Sequence, residues 1–129
     1  MSKFTQQRNA ELYRKIKELY GNSSSICEAI EKAVNSQASQ YYISYEDAYK
    51  YVHRKEKGLQ PYRGMKMYKK AFESLYNKFK NIKCSFPTLP QREIFTKAYY
   101  SPAPSFFLSY TQGLSIYRKE KKRQHHRCI

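Results

Sequence analysis

The sequence predicts an all-α fold of two tandem three-helix repeats, related by a pseudo-twofold and packed on a shared core. The first observation is a repeated phrase, because SQASQYYISY at 36–45 returns as SPAPSFFLSY at 101–110. The second is helical periodicity, since apolar residues recur at three- and four-residue spacing on both sides of each phrase. The third is length, because a half of about 60 residues buries too little surface to be stable alone.

The segments that flank the phrase support an internal duplication. With the same offset, EAIEKAVNS at 28–36 lies over EIFTKAYYS at 93–101. With the offset shortened to 63, LYRKIKEL at 12–19 lies over LYNKFKNI at 75–82. Self-similarity at a fixed period is the signature of a repeated structural unit, so the halves are predicted to be copies of each other.

The first helix of each half is recognised by one apolar stripe. In the first half Leu12, Ile16 and Leu19 lie at helical spacing, and Gly21 is placed to end the helix. In the second half the stripe consists of Tyr68, Phe72, Leu75, Phe79 and Ile82.

The second helices are defined mainly by their beginnings. Ser25 and Glu28 have the spacing of a capping box, which predicts a helix from there to about Val34. Its counterpart is predicted to begin near Pro90, since proline is tolerated in a first helical turn, and to continue to about Tyr99.

The repeated phrase is predicted to be a structural joint between the second and third helices. Pro102 and Pro104 bias the residues before them away from helical geometry, and the segment Phe106, Phe107 and Leu108 is predicted to be extended and to point into the core. A short pairing of the two phrases is the only β-structure expected. The alternative is an exposed base-stacking platform formed by Tyr41, Tyr42, Phe106 and Phe107.

The third helices are predicted to run from Tyr45 to Lys57, closed by Gly58, and from Tyr110 into the basic tail. Ser44 with Asp47, and Ser109 with Gln112, have N-cap spacing. The predicted inward-facing residues are Tyr45, Ala48, Tyr49 and Val52 in the first copy, and Tyr110, Gly113, Leu114 and Tyr117 in the second. The predicted domains are helical repeat 1 at 1–60, a linker at 61–66, helical repeat 2 at 67–123 and a disordered basic tail at 124–129.

Charge and composition narrow the class of protein. The chain has 25 basic and 10 acidic residues, a formal net charge of +15, which favours a polyanionic partner. No apolar run is long enough to span a membrane, and the polar N-terminus has no signal-peptide pattern. The three cysteines match no zinc template, so we expect a cytoplasmic, reduced protein without metal or cofactor.

Catalysis has little support in the sequence. It contains no GxSxG motif, no phosphate-binding glycine loop and no HExxH motif, and His53 is the only histidine outside the tail. The acidic residues are scattered singly, whereas a nuclease gathers carboxylates or histidines for metal or acid–base chemistry. We therefore expect a protein that is not an enzyme.

Basic residues on the third helices, together with Arg63 of the linker, are the candidate site. They are interleaved with tyrosines, a pattern that fits phosphate neutralisation combined with stacking or sugar contacts. The sequence thus predicts a nucleic-acid-binding protein and favours DNA over RNA. A standard helix-turn-helix is doubtful, because the connection at 36–44 exceeds the usual three or four residues. The predicted contact residues are Lys50, Arg54, Lys57, Arg63, Arg118, Lys119, Lys121, Lys122 and Arg123.

The phrase SPAPSFFLSY carries a resemblance to a known group of proteins. It resembles the P-A-P-x-aromatic-aromatic-aliphatic-Ser phrase of small basic uncharacterised proteins of Bacteroidetes and their phages, and the resemblance covers 93–117. It implies a bacterial or phage setting, so the expected location is the cytoplasm of a bacterial host cell. In that setting the predicted nucleic-acid-binding protein would be a regulator or an accessory factor of a phage or mobile element. It implies no activity, and the first copy of the phrase lacks both prolines.

A second class of function remains open. The basic surface could meet carboxylates instead of phosphates in a non-enzymatic phage structural component, or in an inhibitor or adaptor that binds an acidic protein. A saturable complex with one protein and weak DNA binding at physiological salt would favour this alternative.

Overall fold

The computed structural model describes residues 3–59 and 66–127, with side chains described for 3–59 and 68–123. In these residues the chain forms six helices, which confirms the predicted all-α class. They are α1 (Lys3–Tyr20), α2 (Ile26–Val34), α3 (Tyr45–Glu56), α4 (Lys66–Ser85), α5 (Gln91–Tyr99) and α6 (Tyr110–Arg127). None of these helices combines the length and the apolar character that crossing a bilayer requires.

The helices form two compact units, one made of two separated segments of the chain and the other of one continuous segment. Unit one consists of Met1–Ala38 and Ala103–Ile129, which contain α1, α2 and α6. Unit two is Ser39–Pro102, which contains α3, α4 and α5. Each unit therefore combines the first two helices of one sequence half with the third helix of the other. The predicted tandem repeats at 1–60 and 67–123, their pseudo-twofold and their shared core stay predictions.

The core of unit one lies where α1, α2 and α6 meet. Leu12 and Ile16 of α1 are fully buried, as the periodicity predicts, whereas Leu19 at the end of the same stripe is half-buried. Ile30 of α2 is fully buried as well. Gly113 lets α6 approach α2 closely, because a Cβ atom built there would lie 2.7 Å from a methyl group of Val34. The residue at this crossing has to be small for a packing reason, not a conformational one.

The core of unit two is built on the apolar stripe of α4. Phe72, Leu75 and Phe79 are buried, whereas Tyr68 and Ile82 at the two ends of the stripe are half-buried. The ring of Tyr51 on α3 stacks on Phe72, with centroids 5.1 Å apart. Tyr51 is thus a core residue that the predicted inward-facing set of α3 omitted.

The two phrases pair briefly, as predicted. Ala38 and Ala103 form an isolated antiparallel bridge within unit one, and no other bridge or strand occurs in residues 3–59 and 66–127. The amide of Phe106 donates to the carbonyl of Val34 at 3.2 Å, which ties the second phrase to α2. Phe107 has φ 55°, so the predicted extended segment turns through the left-handed region at this residue.

The predicted helix starts are confirmed by hydrogen bonds. Ser25 accepts from the amide of Glu28 at 3.2 Å, and Ser109 accepts from that of Gln112, also at 3.2 Å. The amide of Ser109 in turn donates to the side-chain oxygen of Gln112 at 2.9 Å, which completes the capping box. Pro90 is the residue before α5 and has no side-chain bond to offer.

Gly58 ends α3 as predicted. Its φ of 73° lies in the left-handed region that favours glycine. The amide of Gly58 donates to the carbonyl of Lys55 at 3.1 Å, and the amide of Leu59 donates to that of Arg54 at 2.9 Å. These two bonds are the Schellman arrangement, which satisfies carbonyls at the end of the helix.

Helix α6 is longer than its counterpart α3. It extends to Arg127, into the segment for which the sequence predicts a disordered tail. The additional turns begin at residue 122, so they carry only the last two residues of the basic run, Lys122 and Arg123, on helical backbone.

Candidate nucleic-acid interface

Three of the predicted contact residues form a stripe on α3, in unit two. Ser44 starts this helix by accepting from the amide of Asp47 at 3.4 Å, and the sequence spacing then aligns Lys50, Arg54 and Lys57 on one side. All three are exposed. Within the described part of the chain, none of them forms an ion pair with an acidic side chain. We call these three residues the α3 stripe.

Five further predicted residues lie on α6, in unit one. They are all exposed, and we call them the α6 cluster: Arg118, Lys119, Lys121, Lys122 and Arg123. Arg123 is partly neutralised, because its guanidinium lies 3.7 Å from the carboxylate of Glu120, which is buried. The ammonium of Lys121 lies 5.9 Å from the ring centroid of Tyr117. Arg63, the ninth predicted residue, lies outside the described residues.

Glu28, Glu46 and Glu56 form ion pairs with basic residues outside the two surfaces, although Glu46 and Glu56 lie on α3 itself. Glu28 pairs with Lys32 at 2.8 Å, Glu56 with Lys83 at 3.1 Å and Glu46 with Arg92 at 3.9 Å. In the described residues, Arg123 is the only predicted contact residue in an ion pair. The α3 stripe and most of the α6 cluster therefore keep their full charge for a partner.

Arg92 and three tyrosines of unit two form a cluster that the sequence analysis missed. The Arg92 guanidinium lies 4.3 Å above the ring of Tyr49 and 5.8 Å from that of Tyr45. A hydrogen bond with Tyr49 holds the pKa of Arg92 above its ordinary value. Tyr100 stacks beside Tyr45 with centroids 6.5 Å apart. The four-residue spacing of Arg92, Thr96 and Tyr100 indicates that they share one face of α5. It does not indicate that this face packs against α3.

Some basic residues serve the fold instead of a partner. Lys78 of α4 donates to the hydroxyl of Ser101 at 3.0 Å and to the carbonyl of Pro102, and it lies 5.1 Å from the ring of Tyr41. Burial lowers the pKa of this lysine. Lys78 therefore fixes the start of the second phrase and is not a candidate for phosphate contact.

Two cation–aromatic pairs occur at equivalent positions of the two halves. Lys17 lies 4.8 Å from the ring centroid of Tyr13 on α1, and Lys80 lies 4.9 Å from that of Tyr76 on α4. The interleaving of lysine and tyrosine in the sequence is thus partly explained by contacts within helices.

The alternative base-stacking platform at the repeated phrase is not formed. Tyr41 and Phe106 are buried, and Tyr42 and Phe107 are half-buried. The hydroxyl of Tyr41 bonds to that of Ser74 at 2.9 Å, inside unit two. Each copy of the phrase acts as a joint because its first aromatic residue is buried: Tyr41 in unit two and Phe106 in unit one.

The described residues bring together no group of three or more histidine, cysteine, aspartate or glutamate side chains that could hold a metal ion. His53 Nδ1 lies 3.2 Å from the side-chain nitrogen of Gln91, and Cys27 and Cys84 are free and exposed.

Comparison of the chain with protein-family models, with curated proteins and with solved structures finds no match.

Proposed function

We propose that this protein binds nucleic acid through the α3 stripe and the α6 cluster. The observation that carries the proposal is the α3 stripe, in which Lys50, Arg54 and Lys57 are exposed on one side of a helix and have no acidic partner in the described residues. A stripe of this kind matches the regular negative charge of a phosphate backbone. The net charge of +15 strengthens the long-range attraction.

The energetic basis is the release of counterions. Each lysine or arginine that neutralises a phosphate frees condensed cations, so the logarithm of the binding constant falls linearly with the logarithm of salt concentration. Exposed side chains on a helix reach phosphates without first breaking an ion pair. The proposed binding is therefore steeply salt-dependent and largely independent of base sequence.

We also propose that α3 and α6 are copies of one ancestral basic helix. Equivalent hydrogen bonds support this duplication: the Ser36 hydroxyl donates to the carbonyl of Ala33 at 2.7 Å, and the Ser101 hydroxyl donates to that of Ala98 at 2.6 Å. Ser44 and Ser109 also cap the two helices alike. On this proposal each unit carries one copy of the binding helix.

The test compares two variants that remove the same charge. Lys50→Gln, Arg54→Gln and Lys57→Gln together remove the α3 stripe, whereas Arg14→Gln, Lys69→Gln and Lys70→Gln remove three exposed charges elsewhere. Fluorescence anisotropy with labelled DNA is followed from about 50 to 300 mM salt, the range in which such binding changes steeply. We expect the stripe variant to lower the salt slope by about two to three and the control variant to change it little.

The form of the nucleic acid follows from the same assay. Phosphate contacts are made by DNA and RNA alike, so the preference for DNA is tested with matched DNA and RNA strands. Equal salt slopes for the wild type and the stripe variant would contradict the assignment to α3. Feeble binding to every nucleic acid would overturn the proposal and favour an acidic protein as the partner.

A further inference from the structure

We infer that unit two stacks unpaired bases of single-stranded nucleic acid on a surface formed by Tyr45, Tyr49, Arg92 and Tyr100. This surface, the tyrosine–arginine surface, lies where α3 and α5 pack against each other. The inference rests on the proposed nucleic-acid binding and adds the form of the polymer that is bound.

Tyr100 supplies an exposed ring that is held in place. It is 68% exposed, although it is an aromatic residue at the end of α5. Tyr99 meets it edge-on at a centroid distance of 5.0 Å, and Tyr45 lies nearly parallel to it, with 27° between the planes. Two rings thus support Tyr100 from the protein side while most of its surface faces solvent. An oriented and exposed ring is the element that base stacking requires.

Core packing explains the aromatic neighbours of Tyr100, but it does not explain why Tyr100 itself is exposed. The ring of Tyr45 packs on Phe95 at 4.9 Å and on Tyr99 at 5.1 Å, and both of those residues are buried. A core role explains why Tyr45 is half-buried. It does not explain a tyrosine with two thirds of its surface in water, because such a ring contributes little apolar burial to the fold.

Arg92 adds a planar cation beside the ring. Its guanidinium covers one face of Tyr49 at 4.3 Å while its side chain remains 56% exposed. The carboxylate of Glu46 lies 3.9 Å away and is itself 65% exposed. An ion pair that is this long and this exposed is weak, so Glu46 neutralises Arg92 little, and the exposed guanidinium keeps its charge for a phosphate while it remains on Tyr49.

The α3 stripe runs along the side of this surface. Lys50 directly follows Tyr49 in the helix, and Arg54 directly follows His53, whose ring stacks on Tyr49 at 6.0 Å. Consecutive helical residues point about 100° apart, so the cations flank the aromatic face instead of covering it. A single strand can therefore place its phosphates on the stripe and a base on the exposed ring of Tyr100, which Tyr45 supports from behind. A duplex cannot do so, because its bases are already stacked on one another.

The test uses the whole protein and single substitutions at Tyr100. Labelled oligodeoxythymidine is compared with an abasic strand of the same length and with duplex DNA. Tyr100→Ala removes the ring, Tyr100→Leu keeps an apolar contact with Tyr45 but no π-face, and Tyr100→Phe keeps the ring. Tyr20→Ala is the matched control, since Tyr20 is 53% exposed and has no ring partner in the described residues. Circular dichroism of each variant verifies the helical content.

We expect Tyr100→Ala and Tyr100→Leu to weaken binding of oligodeoxythymidine about five- to 100-fold, the range found for loss of one stacked base. Tyr100→Phe and Tyr20→Ala are expected to bind within about twofold of the wild type. Since no charge is removed, the salt slope stays the same. On the abasic strand and on duplex DNA the Tyr100 variants should match the wild type.

Two results would overturn the inference. If Tyr100→Leu binds oligodeoxythymidine as the wild type does, while both bind with a steep salt slope, then the tyrosine–arginine surface is not used and the proposed function still stands. If the wild type binds none of the three probes, the proposed function fails and the inference fails with it.

Discussion

Ala38 and Ala103 exchange both of their backbone hydrogen bonds, each at 3.0 Å, and they occupy the same position in the two copies of the repeated phrase. The chain leaves unit one after Ala38 and returns to it at Ala103. The pairing therefore closes unit one at the point where the intervening segment 39–102 begins and ends. Unit one is therefore discontinuous in sequence, whereas unit two is a single continuous segment that crosses the boundary between the two sequence halves.

Cleavage between the two sequence halves should leave the protein assembled. A protease site introduced within 60–65 divides the chain into one fragment with α1, α2 and α3 and another with α4, α5 and α6. Each unit then needs helices from both fragments, since separation would expose the apolar faces that they bury together. Size-exclusion chromatography with light scattering should give the mass of the uncut chain, although a denaturing gel shows two fragments. Separate elution of the fragments in native buffer would contradict the observed units.

Gly113→Ala should destabilise the protein by about 1–3 kcal/mol, the usual cost of overpacking. The new methyl group would lie within 3.0 Å of methyl groups of Val34 and Ile30, and both of these side chains are stiff at χ1. Urea unfolding followed by circular dichroism measures the effect. Gly21→Ala is the control, because the nearest atom to a Cβ there is 4.0 Å away, and no loss is expected.

A cycle with Val34→Ala sharpens the prediction for Gly113. If the clash is the cause, the double variant should be more stable than the sum of the two single effects indicates. Strict additivity would mean that the methyl group is accommodated in another way.

Tyr99→Phe should lower the free energy of unfolding by about 1–3 kcal/mol. The Tyr99 hydroxyl donates to the carbonyl of Ile43 at 2.6 Å inside unit two, and its removal leaves that carbonyl buried without this partner. The substitution changes no carbon atom, so the loss reports the hydrogen bond alone. Tyr100→Phe serves as the control on an exposed ring, and a similar loss in both variants would contradict the argument.

Protonation of Glu28 in acid should remove part of the stability of the protein. A hydrogen bond from Lys32, followed by bonds from Ser24, lowers the pKa of this carboxyl from its ordinary 4.5 to about 2. A carboxyl with a lowered pKa in the folded state contributes stability above pH 4.5, and that contribution is lost as the pH falls toward 2. The melting temperature of Glu28→Gln should therefore lie below that of the wild type at pH 6, and the two should converge near pH 2. A constant difference at every pH would show that the charge is not the cause.

Helix positions and ends could be predicted from the sequence, because the interactions that set them act within a few residues. Ser25, Ser109 and Gly58 satisfy backbone groups at the ends of their own helices, and the prolines of the second phrase act on the residues directly before them. The α3 stripe could be predicted in the same way, because the spacing of Lys50, Arg54 and Lys57 places them on one side of a helix.

By itself the sequence determined the six helices, the pairing of the two phrases and the exposed charge on α3 and α6. Only the tertiary structure decided which third helix packs with which pair. Both third helices bury a small residue and a larger one three positions later at matching positions, Ala48 and Tyr51 in α3 and Gly113 and Ile116 in α6, so their local patterns do not distinguish the partners. The contact between Arg92 and Tyr49 could not be predicted from local patterns either. The two residues are 43 positions apart in sequence, and only the packing of α5 on α3 brings the guanidinium to 4.3 Å from the ring.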